Sequence, residues 1–266
     1  MPMFYSRLAL LFLIPAMIAL PHAVGQSEPT AQSRAELTFK GQMALRDGNR
    51  KAAMEVAELL TSPEQGDPTA REMMLAADIL LRCGKPARAV EWYDKCLKEV
   101  PDQLPYMWQR GIALYFAGDH DKGVAQFEKH RRVNPNDVEN AAWHFLCVAK
   151  AKSMDEAKRV VLPAPNDPRI PMKEVLNMLS TGDTASVQTR MDATEPGSAQ
   201  RVEADFYGNF YLGLYADAQG KTANALKLME LSATDVPHHY MGDVARVYVD
   251  YLKQQLDDEK SPPSDQ

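Results

Sequence analysis

From Arg34 onward the apolar residues return at intervals of three and four, in stretches separated by short polar breaks. That interval lays them along one stripe of a helix, so the pattern predicts helices in series. Four of the breaks read GNRKAA, GKPARA, GDHDKG and GKTANA, beginning at Gly48, Gly84, Gly118 and Gly220. Glycine there ends a helix, because it accepts the left-handed backbone of a helix C-terminus. Each break therefore predicts a turn between two helices.

The predicted pairs share one frame. A small residue precedes the turn glycine by seven positions and another follows it by five, in Gly41/Gly48/Ala53, Ala77/Gly84/Ala89, Gly111/Gly118/Gly123 and Gly213/Gly220/Ala225. Small side chains at these places let two helices cross closely. Gly213 is expected to be a tight crossing, and Gly41, in a more degenerate pair, a looser one. Further matches lie 34 residues apart: Tyr93 with Phe127 and Pro101 with Pro135. A proline at the end of the second helix stops it, since proline cannot continue one.

The 34-residue frame resembles the tetratricopeptide repeat (TPR), best in Leu104 to Asp137, with a departure at His130, where the family has a small residue. The resemblance implies an all-α fold, a TPR helix-turn-helix solenoid with a short helical insert and a C-terminal capping helix. In stacked helical pairs the first helices line the concave face, which carries the ligand. The frame places Met74, Asp78 and Arg82 on that face, then Trp108, Ile112 and Tyr115, then Tyr207 and Phe210; packing of Trp108 and Tyr115 against neighbouring helices is the alternative. TPR families that grip a C-terminal carboxylate use lysine and asparagine in the groove. Met74, Asp78, Trp108 and Ile112 stand there instead, which disfavours that mode.

The chain divides accordingly. Residues 1–25, with Arg7 ahead of an apolar run and AVG at its end, read as a signal peptide cleaved before Gln26; a retained anchor is the alternative. Residues 26–33 form a polar linker, 34–162 the N-terminal repeat array, and 163–205 a loop and helical insert. Residues 206–253 form the C-terminal repeat and capping helix, and 254–266 a tail disordered by composition. Within the array, a repeat opening at Val138 is cut short at Pro163, where the loop to Pro171 carries four prolines. The insert is read as two short helices around Gly182-Asp183.

Two stretches, Trp143 to Pro163 and Asp205 to Leu252, are similar to the cut repeat and closing repeat of the NlpI family of bacterial TPR lipoproteins. That resemblance implies a periplasmic homodimer acting as an adaptor that brings peptidoglycan hydrolases to a protease. The lipidated cysteine of that family is missing here, so the expected product is exported and soluble after cleavage.

Composition narrows the chemistry. A net charge of −6 argues against nucleic acid as the main partner. Cys83, Cys96 and Cys147 fit no zinc spacing and lie in apolar runs, as buried thiols do. The cluster Asp119, His120, Asp121 invites a metal reading. The repeat frame instead makes Asp119 a helix cap, Asp121 a first-turn acid and His120 a solvated loop residue. Two adjacent histidines near 238–239 read as a loop, and His144 as a satisfied core histidine. No phosphate loop, HExxH or GxSxG motif occurs. The expectation is a non-enzymatic adaptor binding protein partners, with no cofactor, metal or nucleic acid. A structural assembly factor of an envelope or secretion complex is the alternative, and a helical enzyme the third reading.

Overall fold

A computed structural model of the chain describes residues 33–234 and 239–260. The expected signal peptide and nearly all of the linker lie outside these residues. The described part is all-α: α1 (Arg34–Arg46), α2 (Arg50–Thr61), α3 (Ala70–Arg82), α4 (Pro86–Glu99), α5 (Trp108–Phe116), α6 (His120–His130), α7 (Val138–Ala151), α8 (Met154–Arg159), α9 (Met172–Thr181), α10 (Thr184–Asp192), α11 (Ala199–Ala218), α12 (Thr222–Ala233) and α13 (Tyr240–Lys260). None of these helices is long and apolar enough to cross a membrane.

Neighbours in sequence pack as neighbours in space from α1 through α8, and again from α9 through α13. The cause is local. At the turn after α5, Gly118 has φ +83° and open space around its missing Cβ. The amide of Gly118 donates to the Tyr115 carbonyl and that of Asp119 to Leu114, closing α5 with a Schellman motif. Gly48, Gly84 and Gly220 repeat the positive φ and the same two bonds.

The other small residues are packing positions. Ala53, Ala77, Ala89 and Ala225 are fully buried. A Cβ on Gly111 would fall 2.5 Å from Phe127 Cζ, and one on Gly123 2.7 Å from Cys147 Sγ. Gly41 departs from the expectation of a loose crossing. Its Cβ would sit 3.0 Å from Val56 Cγ1, against 3.2 Å from Met229 Cε at Gly213. Degeneracy of sequence in the first pair has left its helix crossing tight.

Several boundaries move. Ser33, assigned to the linker, caps α1 in a reciprocal capping box with Glu36. α11 begins at Ala199, inside the segment read as insert, because the Ser198 hydroxyl caps the chain directly after Gly197. α13 runs to Lys260, six residues past the expected start of the tail at 254; residues 261–266 are outside the described part. The helical insert, α9 and α10, packs on α7, α8 and α11, with Gly182 (φ +86°) at its turn and Asp183 capping α10.

The turn glycines and crossing glycines give separable costs. Gly118→Ala is expected to lose about 1 kcal/mol from backbone strain, largely restored by Gly118→Asn, which tolerates the left-handed region. Gly111→Ala is expected to cost more, about 1–3 kcal/mol, because the Phe127 ring must move. Denaturant unfolding of the three variants checks both; equal losses for Gly118→Ala and Gly118→Asn would contradict the turn geometry.

Candidate functional site

α13 does more than cover the last pair. It packs on α12 and also lies against α3, α5, α7 and α11. Its Tyr248 ring is stacked 5.9 Å from Trp143 on α7 and meets Phe116 on α5 edge-on at 5.2 Å. Arg82 of α3 reaches Asp243 of α13 at 2.5 Å, both nearly buried. The face that the repeat frame assigns to a partner is thus covered over much of its length by the chain's own last helix.

Beneath α13 lies a buried carboxylate, Asp217 on α11, fully screened from solvent. It accepts from the hydroxyl of Tyr248 at 2.5 Å, from Lys150 Nζ at 2.6 Å and from the hydroxyl of Tyr115. Burial holds both phenols well above the ordinary tyrosine pKa, so both stay protonated donors. Four helices, α5, α7, α11 and α13, meet on this one side chain.

A second ionic group ties the proline-rich loop to α7. Arg169 binds Asp137 at 2.8 Å and Asp167 at 2.6 Å, and also Glu139. Glu139 further accepts from the Tyr211 hydroxyl at 2.8 Å. Burial raises the Glu139 carboxyl above its usual range in spite of Arg169. The guanidinium lies 5.3 Å from the ring centre of Tyr207.

Beside the Arg169 group is a cavity of about 590 Å³, lined in part by Asp137, Glu139 and Tyr207 and within the range that ligand pockets occupy. Its walls are aromatic: Trp108 of α5, Trp143 of α7, Phe206 and Tyr207 of α11, and Tyr240 of α13. Trp108 and Tyr240 meet edge-on, their centres 4.8 Å apart. Ile112 and Met241 add aliphatic surface, and Val202, 56% exposed, stands at the mouth. The acidic lining residues are Asp137, Glu139 and Glu203. His130, the departure from the repeat pattern, also lines it; its Nδ1 bonds the Pro105 carbonyl at 2.9 Å.

Of the residues read from the sequence as groove positions, Trp108, Ile112 and Tyr207 line this cavity. The others do not. Tyr115 and Phe210 are fully buried, because α13 lies over them. Asp78 binds the hydroxyls of Tyr93 and Tyr240, the latter at 3.2 Å, and Arg82 is engaged by Asp243. Met74 is half-buried against the core. Sequence reasoning missed Phe206, Glu203, Asn140 and Trp143 as lining residues. Their only signal was the set of polar and aromatic residues in the first halves of α11 and α7, which the predicted groove positions did not include.

Smaller expectations also change. Asp119 occupies the cap position of α6 without a side-chain cap bond and pairs instead with Lys122 at 2.9 Å. His120 is no solvated loop residue: it is half-buried in α6, its ring 5.4 Å from Tyr115, and burial lowers its pKa. His239 bonds the Gly242 amide at the start of α13; His238 is outside the described residues. His144 is buried with neither ring nitrogen in a hydrogen bond among the described residues, and desolvation lowers its pKa. Cys96 and Cys147 are buried and Cys83 half-buried, all as free thiols.

No family model matches the chain. Over 82 residues, 30% of its length, it is 34% identical to an FK506-binding protein-like protein of Mus musculus. The match spans 23% of that protein.

Asp78, outside the cavity but bonded to its Tyr240, carries a pH signature. Burial pushes its carboxyl up to about 6, against the Tyr93 and Tyr240 hydrogen bonds and the Arg82 charge that lower it. The folded form then binds a proton more readily than the unfolded chain, so this group's contribution to stability is lost as pH rises through 6. Asp78→Asn is expected to remove that part of the pH dependence between about 4 and 6 and to raise stability at pH 7 by about 2 kcal/mol. Denaturant unfolding at pH 4.5 and 7 checks it; an Asn variant weaker at pH 7 than the parent would contradict the assignment.

Proposed function

We propose that this chain is a TPR-type adaptor of the cell envelope, which takes a segment of a partner protein into the aromatic cavity and performs no chemistry itself. The four repeated glycine turns support the TPR reading, and the resemblance to the NlpI family supplies the envelope setting and the class of partner, a protease or peptidoglycan hydrolase. The single observation that carries the binding reading is the cavity wall. Trp108, Phe206, Tyr207 and Tyr240 come from three different helices and converge on one opening. Aromatic side chains dominate protein-binding hot spots, since they bury much area while keeping a polar handle.

The test replaces two wall residues that are only half-buried. Trp108→Ala with Tyr207→Ala is expected to weaken capture of the partner by about 2 kcal/mol or more, with helical content kept. The measurement is cross-linking from envelope extract, followed by affinity of the purified partner. A protease or hydrolase among the captured proteins supports the adaptor; a large membrane complex favours the assembly factor. Undiminished capture by the double variant would overturn the cavity as the binding site.

A further inference from the structure

The charge of the cavity narrows what enters it. Asp137, Glu139 and Glu203 line it, and none of the described lining residues is lysine or arginine. Two guanidiniums lie against lining tyrosine rings: Arg169 against Tyr207 at 5.3 Å and Arg82 against Tyr240 at 5.2 Å. Both are held by carboxylates, Arg169 by Asp137, Glu139 and Asp167, and Arg82 by Asp243. Three carboxylates around Arg169 exceed its single positive charge. Glu203 stands exposed at the mouth, one turn before Tyr207.

An aromatic enclosure lined by more acidic than basic side chains attracts cations, because each open ring face is negative and Glu203, at the mouth, adds negative charge beyond that balanced by Arg169. An anionic side chain would meet like charge there. A neutral aliphatic chain would gain only area. We infer that the cavity receives a basic side chain, arginine or lysine, from an extended partner segment, its stem along Ile112 and Met241 and its charge among Trp108, Tyr207 and Glu203. This inference deepens the adaptor reading and depends on it.

The cavity holds two of the three tryptophans, Trp108 and Trp143. A Trp92→Phe background therefore makes tryptophan emission a local probe. The ligands are acetylated, amidated glycine-serine peptides with central Leu-Arg-Leu, Leu-norleucine-Leu or Leu-Glu-Leu, and the free cation trimethyl(2-phenylethyl)ammonium. The arginine peptide is expected to bind at least about fivefold more tightly than the norleucine peptide, a gap in the range of one cation–π contact. The glutamate peptide is expected to be weakest. Glu203→Gln should shrink the arginine-to-norleucine ratio to under about twofold at low salt and leave norleucine binding unchanged. Equal or tighter binding of norleucine overturns the charge assignment while leaving the adaptor reading intact. Saturation by the free cation with no peptide binding marks a small-molecule site and overturns both. No change in emission with any ligand overturns both as well.

Discussion

The carboxylate of Asp217 is the constraint on which the arrangement of helices depends. A charged group fully removed from water is tolerated only when its oxygens are occupied. Here that requires Tyr115 from α5, Lys150 from α7 and Tyr248 from α13 to arrive together. Displacing any of the three leaves the buried carboxylate short of a donor or of its counter-charge. The requirement therefore fixes where α13 lies, and it does so more specifically than apolar packing, which tolerates sliding. The aromatic cluster around Trp143 and Phe116 supplies the area; Asp217 supplies the register.

The position of α13 in turn defines the cavity. With Tyr248 anchored, the first residues of the helix, Tyr240 and Met241, become wall rather than surface. Asp243 reaches Arg82, and Tyr240 reaches Asp78, so the helix start is held to α3 from the other side. What remains open is the space among α5, α7 and the start of α11. The proline-rich loop contributes to it through Arg169, which lies 5.3 Å from the ring centre of Tyr207. The surface that a stack of helical pairs would leave free along its length is thus reduced to one acidic, aromatic cavity with an open mouth.

Local chemistry made much of this legible in advance. The turn glycines at 48, 84, 118 and 220 and the buried alanines at 53, 77, 89 and 225 follow from rules that act within a few residues, and the structure has them where the frame put them. The all-helical class follows from the same periodicity. The site was harder, because its geometry comes from contacts between distant segments. Tyr115 meets Asp217 across 102 residues, and Arg82 meets Asp243 across 161. Nothing in the spacing around Tyr115 distinguishes a residue facing a partner from one facing the chain's own last helix. His130 gave a partial hint: a large polar residue at a small position marks a place where packing departs from the repeat, and the cavity lies there.

The most direct test of this account is hydrogen exchange on the Asp217→Asn protein beside the parent. An amide can still accept from Tyr115 and Tyr248 but cannot match the charge of Lys150. Exchange is expected to be faster along α13, with smaller increases in α5 and α7, while α1, α2 and α4 keep the parent's protection. Protection of α13 equal to that of the parent would contradict it, and would mean that apolar packing alone sets the last helix.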